Sequence, residues 1–452
     1  MLPEAFVQQL TISLGPERAG EVVSFITGTP PSTAVRVNPF KTEDFPVQFA
    51  SGTETCSRWG RLLPERPEFS LDPLFHAGAY YVQDASSMYL ESILPEMRRM
   101  RSASPEGAFA VLDLCAAPGG KSTHLLSMLR EIPGSFLVSN EVIRQRASVL
   151  CGNISRWGAV NVAVTNNDPA DFQQLGKYFD VIVVDAPCSG EGMFRKDPEA
   201  VAQWSEDNVR LCAARQRRIL ADIMPCLRPG GLLVYSTCTF NPAEDEDNTR
   251  WLAASYGLEV ADMRHFYPGD PMAGEGFYMS VLRFPGDGGK SSEIRKREKL
   301  KTGQYMPFKE KVPWVDDGIA LYRRGDRLKA FPADAAVQMQ ALETVRGLRV
   351  QMSGTAVAEV IGGRGAGSGV KPVLLPQYSL IQSAVYRRGS LTEVEVSLET
   401  ALAYLRRDSI RLSGAPSGYV TLTYGGIPFG LVKNLGVRCN SLLPPSMRLR
   451  TV

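Results

Sequence analysis

The chain has 452 residues, with 50 Lys or Arg against 48 Asp or Glu, a net charge of +2, and 44% hydrophobic residues. That length can bury more than one core, and the composition is that of a globular protein in water, with no run near the roughly 20 apolar residues a membrane helix needs. The start Met1-Leu2-Pro3-Glu4-Ala5 lacks the basic region and apolar core of a secretory signal, and the eight cysteines form no CxxC pair, so reduced thiols and a cytoplasmic location are expected.

Residues 1–105 read as an α+β module. Apolar residues recur at helical spacing over 5–14 and 19–25, residues 33–39 read as a strand stopped by Pro39, and residues 80–84 as a second strand leading into a helix through Leu94. Residues 106–286 alternate strand and helix. The strand signals fall at 109–114, 136–139, 162–165, 181–184, 232–236 and 277–284, and the first four are short apolar runs, as expected of strands covered on both faces. Helical stretches lie between them at 122–130, 143–157 and 209–227. This is the pattern of a doubly wound, Rossmann-like α/β sheet. The run Arg228-Pro229-Gly230-Gly231 reads as the turn that ends the last of these helices.

Residues 287–345 read as a linker and bridging segment, with the basic run Arg295-Lys296-Arg297-Glu298-Lys299 either solvated or facing RNA. From 346 to 452, short apolar strands alternate with Gly and Pro turns. The clearest pair, 419–424 and 427–432 around Gly425-Gly426, reads as a hairpin of a small β-barrel. This last part holds 13 Lys or Arg against 5 Asp or Glu, a local excess of +8, which suits either a polyanion-binding end or a solubilising face.

In an open parallel sheet the carboxyl ends of the strands form the ligand crevice. The first strand is followed by Cys115-Ala116-Ala117-Pro118-Gly119-Gly120-Lys121, where two glycines let the backbone approach a ligand near a helix N-terminus. The spacing is neither GxGxxG nor a P-loop. Glu141 follows the next strand, where a carboxylate can hold ribose hydroxyls; Asp168 follows the third, near an adenine edge; Asp185 ends the fourth. Each alone is more simply a cap or loop residue, but four successive strand ends of this kind suit a nucleoside cofactor without a phosphate chain, such as S-adenosylmethionine. Cys188 and Cys238 end two strands, in Asp185-Ala186-Pro187-Cys188-Ser189-Gly190 and Ser236-Thr237-Cys238-Thr239, and a strand-helix-strand path would bring them together.

A thiolate beside a methyl donor suits methylation of cytosine at C5. Addition to C6 makes C5 nucleophilic, and loss of the C5 proton expels the sulfur. Asp185 is close enough in sequence to stabilise the activated ring. Spacing alone leaves either thiol as the nucleophile. The other cysteines read as core or structural residues, a disulfide is disfavoured in the cytosol, and His76, His124 and His265 show no ligand spacing, so no metal is expected.

The segments 114–121, 185–192 and 236–240, with Arg36-Val37-Asn38-Pro39 and Tyr81-Val82-Gln83-Asp84-Ala85-Ser86-Ser87, resemble the motifs of the RNA cytosine-5 methyltransferases of the Sun family. The C-terminal part, with Tyr404-Leu405-Arg406-Arg407-Asp408 and Gly430-Leu431-Val432-Lys433-Asn434, resembles the PUA-type domain of its RsmF branch. The resemblance implies a Rossmann-like methyltransferase core, an N-terminal RNA-recognition module and a PUA-like β-barrel. It implies Cys238 as the nucleophile, Cys188 as the group assisting release, Asp185 at the cytosine and cofactor, and residues 115–121, Glu141 and Asp168 around S-adenosylmethionine. It also implies RNA as partner, small-subunit ribosomal RNA or the 30S subunit, and a monomeric protein without metal or membrane. Tyr378, Tyr386 and Tyr424 would be available to stack on bases, or belong to the barrel core. Two rivals are a transfer RNA methyltransferase with the same chemistry and an RNA-binding assembly factor with vestigial catalysis. A DNA methyltransferase is a third.

Overall fold

The computed structural model describes residues 1–272, 274–286, 305–362 and 372–450. The basic run 295–299 lies outside the described residues. The N-terminal sheet has the order β2-β3-β1-β4, all antiparallel, from β1 (Thr33–Val37), β2 (Thr53–Glu54), β3 (Gly60–Leu63) and β4 (Tyr80–Val82). Two helices precede it, Glu4–Leu14 and Pro16–Gly28. Their apolar stripe, Phe6, Leu10, Ala19, Val22 and Ile26, packs against Phe194, Trp204, Val209 and Phe240. Phe194 and Phe240 belong to the segments that follow the two strand-end cysteines, so the N-terminal helices brace the loops of the crevice.

The central sheet contains β5 (Phe109–Asp113), β6 (Ser135–Asn140), β7 (Val162–Thr165), β8 (Phe179–Asp185), β9 (Leu227–Thr237), β10 (Glu259–Phe266) and β11 (Phe277–Arg283), in the order β10-β11-β9-β8-β5-β6-β7. Strands β5 to β9 run parallel, and β11 and β10 continue the sheet antiparallel. The apolar runs behave as expected for a two-sided sheet: Val111 faces one buried cluster, while Ala110 and Leu112 face the other. Strand β10 carried no apolar signal because it is an edge strand, exposed along most of its length. The Arg228-Pro229-Gly230-Gly231 run is not the helix-ending turn. Helix Glu206–Ile223 passes through a 3₁₀ turn, Met224–Cys226, and residues 228–231 lie inside β9 at a bulge against β8. Gly231 permits that approach, since a Cβ there would meet the Asp180 carbonyl oxygen at 2.8 Å.

The C-terminal half contains β12 (Met306–Pro307), β13 (Ile319–Arg324), β14 (Arg327–Pro332), β15 (Val350–Ser353), β16 (Thr355–Ile361) and β17 (Val373–Pro376). It ends with β18 (Thr392–Glu395), β19 (Gly418–Tyr424), β20 (Ile427–Asn434) and β21 (Cys439–Ser441). Strand β15 pairs antiparallel with β7 and extends the central sheet, while the others form the sheets β12-β13-β14-β16-β17 and β18-β19-β20-β21. The expected hairpin is β19 and β20, turned by Gly425 and Gly426, both at positive φ. β18 pairs with β19 in parallel. One apolar cluster, with Leu328, Ala358, Leu380, Leu405, Val420 and Leu431, underlies both sheets. The sheet therefore runs across the boundary drawn at 345/346, because β14 pairs with β16. Tyr378 and Tyr386 are core residues rather than stacking platforms: their hydroxyls bond the Phe429 carbonyl at 2.9 Å and Thr421 at 3.1 Å. Among the described residues no helix is long and apolar enough to cross a membrane.

Candidate active site

The loop after β5 turns sharply into helix Gly120–Leu129. Gly119 sits at φ 119° at its N-cap, a conformation glycine adopts freely. The loop is pinned to the sheet by Ala116 N–H donating to the Asn140 carbonyl at 2.8 Å and Leu114 N–H donating to the Val183 carbonyl at 2.9 Å. Beneath it Asp113 is fully buried; Ser122 donates to its Oδ2 at 2.6 Å, and Oδ1 has no partner among the described residues. Burial, aided by the nearby Asp185 and Glu141 carboxylates, pushes the Asp113 carboxyl up to about 7. Lys121 Nζ lies 2.8 Å from Asp185 Oδ1 and 4.9 Å from the Phe277 ring centroid, and Ser236 donates to the same Asp185 oxygen at 2.9 Å.

The Glu141 carboxylate is buried at the end of β6; its Oε1 accepts from Ile143 N–H at 2.9 Å, and Arg146 approaches Oε2 at 3.4 Å. Asp168 caps the 3₁₀ turn Pro169–Leu175 by accepting from Ala170 N–H at 3.2 Å, and faces Arg218 at 3.5 Å on a half-exposed surface. The sheet thus brings 115–121, Glu141 and Asp185 to one rim, with Asp168 at its outer end.

This rim fits S-adenosylmethionine better than a phosphorylated cofactor. Three carboxyl groups gather here, with Asp185 and Glu141 both acting on the buried Asp113. They would repel a phosphate chain and attract a sulfonium cation. Gly119 and Gly120 let the loop pack closely on its own supports, since a Cβ at Gly119 would meet Leu150 Cδ1 at 3.2 Å and one at Gly120 would meet Tyr81 Cε1 at 3.6 Å. Asp113 Oδ1, buried and without a partner among the described residues, marks a polar floor.

Cys188 and Cys238 meet beside that rim, with their sulfur atoms 3.2 Å apart. Their loops are cross-latched by two buried carboxylates. Glu191, from the Cys188 loop, accepts from Phe240 N–H and from Trp204 Nε1, both at 2.9 Å. Glu244, beyond the Cys238 loop, accepts from Ser189 N–H at 3.0 Å and from Gln216 Nε2 at 2.7 Å. Gly192 N–H donates to the Cys238 carbonyl at 2.8 Å, and a Cβ on Gly192 would meet that same oxygen at 2.8 Å, so only glycine fits there. The hydrogen bond to Cys238, with burial, holds the Cys188 thiol well above the usual range. Either sulfur can be the donor in this contact.

Sequence reasoning did not single out Asp113, Glu191 or Glu244. The last two stood inside quoted or adjacent segments, but nothing in their spacing revealed that each would reach the opposite loop. The N-terminal motifs are likewise explained only by contact. Arg36 is fully buried and donates to Gln83 Oε1 at 2.8 Å and Thr123 Oγ1 at 2.6 Å, tying β1 to the helix behind the loop. Asp84 accepts from Glu275 N–H at 3.0 Å, and Glu275 pairs bidentately with Arg195 at 2.7 and 2.9 Å.

Burial raises the Glu244 carboxyl to about 7 from an ordinary 4.5. A folded-state value above the unfolded one stabilises the fold fully below the lower value and ceases to do so as pH rises through the higher one. Between about pH 5 and 8 the melting temperature of Glu244→Gln should therefore fall less than that of the parent chain. Equal falls in a thermal scan of both proteins would show that Glu244 is ionised throughout.

Three family models match the chain: 16S rRNA methyltransferase RsmB/F over residues 102–254, the N-terminal domain of 16S rRNA methyltransferase RsmF over 2–85, and the methyltransferase RsmF PUA domain over 391–449. The chain is 30% identical over 403 residues to ribosomal RNA small subunit methyltransferase F of Shewanella loihica, covering 81% of this chain and 77% of that protein. It is 31% identical over 399 residues to the protein of the same name from Klebsiella pneumoniae, covering 81% and 78%. A solved methyltransferase homologue from Pyrococcus horikoshii superposes with a TM-score of 0.50 at 25% identity, over 62% of this chain and 95% of that one.

Proposed function

Because the chain belongs to the ribosomal RNA small subunit methyltransferase F family, whose cofactor is S-adenosylmethionine, we propose that it methylates C5 of a cytosine in 16S ribosomal RNA through a covalent bond from Cys238 to C6. The observation that carries this reading is the 3.2 Å contact between two thiols at adjacent strand ends, beside Asp185.

When bound, S-adenosylmethionine supplies an electrophilic methyl group on sulfur. Residues 115–121, Glu141, Asp168 and Asp185 would hold it. Asp185, fixed by Lys121 and Ser236, also borders the target base. Cys238 adds to C6 as a thiolate, the nucleophilic form of the side chain. The C5=C6 electron pair would then take the methyl group at C5, the donor sulfur keeping the pair of the broken S–C bond and losing its positive charge. Cys188, once its own proton has passed to solvent, can then accept the proton from C5 as a thiolate. The C5–H electron pair rebuilds C5=C6, the C6–S bond breaks, and Cys238 returns as a thiolate. A base inside a helix or stack must first be extruded to reach these sulfurs. The C-terminal domain, with its excess of +8 from residue 346 onward, would supply salt-sensitive backbone contacts.

Bisulfite sequencing of ribosomal and transfer RNA from a strain lacking this gene tests the reading. Loss of a 5-methylcytosine from 16S RNA, restored by the gene, is expected. Loss confined to transfer RNA would move the substrate, and loss from neither would leave an RNA-binding factor.

A further inference from the structure

A second candidate site lies away from the thiols. A cavity of about 140 Å³ opens where strand β4 meets the C-terminal end of helix Arg144–Trp157, lined by Phe75, Tyr81, Asn153, Arg156 and Trp157 among others. Its walls are aromatic: Tyr81 and Trp157 meet edge to face with centroids 6.4 Å apart, and the Arg156 guanidinium lies 5.2 Å from the Phe75 ring centroid. The Trp157 indole N–H is buried and has no acceptor among the described residues.

Cations predominate around this cavity, although Asp72 accepts from the hydroxyl of the lining residue Tyr80 at 2.6 Å. Arg156 has no carboxylate within ion-pair distance among the described residues. Neither does Lys41, whose ammonium donates to the Arg156 carbonyl at 2.9 Å and to that of Ala77. Nor does Arg36, whose guanidinium lies 4.6 Å from the Trp157 ring centroid. The donors of Arg36 are taken by Gln83, Thr123 and Ser127, and those of Lys41 by the two carbonyls. The Arg156 side chain has no acceptor among the described residues. Arg36 is fully buried and already hydrogen-bonded, whereas Lys41 and Arg156 are half-buried, which leaves the Arg156 guanidinium able to receive an anion. Burial lowers both Lys41, to about 7, and Arg156, consistent with uncompensated charge.

The position suits a long ligand. Asn153, on one wall, donates to the Pro118 carbonyl of the cofactor loop at 2.8 Å. Gly158, just past the helix end, accepts from Ala384 N–H of the C-terminal half at 2.9 Å. The cavity therefore stands at the junction of all three parts of the chain. Its volume lies well below the roughly 300 Å³ of cofactor-sized pockets but offers room for one flat ring.

We propose that this cavity takes one unstacked nucleotide of the RNA substrate, outside the target cytosine, with its base against the half-buried Tyr81 and its phosphate on Arg156. Single-stranded RNA is read in this way, by aromatic stacking with a cationic contact to the backbone. The proposal rests on the RNA methyltransferase reading only for the identity of the polymer.

Its test uses the full chain and an RNA fragment methylated by the parent protein. Arg156→Gln should weaken RNA binding about tenfold at roughly 0.1 M salt and reduce the slope of log affinity against log salt by about one. KM for RNA should rise by the same factor, with kcat and the dissociation constant for S-adenosylmethionine unchanged. Unchanged RNA affinity and salt slope in a folded variant would overturn the proposal. A second measurement is independent of that variant's folding. Ultraviolet cross-linking of the parent protein to the RNA should label peptides 75–82 or 153–157, and labels only elsewhere would overturn it. If cytidine monophosphate at millimolar concentration blocked this label without displacing the RNA, a free nucleotide would be the occupant and the proposal would fail. Labelling at the cavity without methyl transfer would sink the enzymatic reading and leave this one standing.

Discussion

Replacing Cys238 by alanine should abolish methyl transfer, lowering kcat by roughly 10⁴-fold or more, as removal of a covalent nucleophile does. The fold gives little reason for any other loss. The contacts that place this residue are made by its backbone, whose carbonyl accepts from Gly192 N–H at 2.8 Å, and alanine keeps them. The cofactor loop sits on β5, two strands away from β9 in the sheet, and should bind S-adenosylmethionine as before. Calorimetric titration of the cofactor alongside radiolabelled methyl transfer checks both halves. Turnover within tenfold of the parent would end the assignment of Cys238, and adduct formation retained by this variant would shift the nucleophile to Cys188.

Cys188→Ala should leave the first bond-forming steps possible and stall the last. The variant loses the hydrogen bond to the Cys238 sulfur and the base assigned to the C5 proton, so the methylated base stays attached. A denaturing gel should then show a slow-migrating protein–RNA complex approaching one equivalent, and steady-state turnover should fall by roughly 10²–10⁴-fold, the usual contribution of a positioned acid or base. The double variant with Cys238→Ala should show no complex. Normal turnover without any complex from Cys188→Ala would remove its role in release. Abundant complex from the double variant would mean that a different sulfur forms the bond.

The sequence alone determined the central sheet, because strands buried on both faces must be short apolar runs, and β5, β6, β7 and β8 are such runs. It placed 115–121, Glu141, Asp185, Cys188 and Cys238 at strand ends, since a parallel sheet with helical crossovers puts every such end on one edge. It could not find β10, whose residues face water, or β15, four residues that reach the sheet only by crossing from the C-terminal half to β7. It misplaced Arg228–Gly231, where turn-forming residues serve a bulge inside a long strand.

Only the tertiary structure decided what holds the two sulfurs together. Glu191 and Glu244 lie 53 positions apart and each secures the opposite loop, a relation no local pattern encodes. The cavity beside Trp157 was also hidden, because its cations come from β1, the segment after it and a helix of the next domain. Period and turn chemistry are properties of neighbouring residues, whereas burial, charge balance and donor–acceptor pairing depend on which distant segments the folded chain brings into contact.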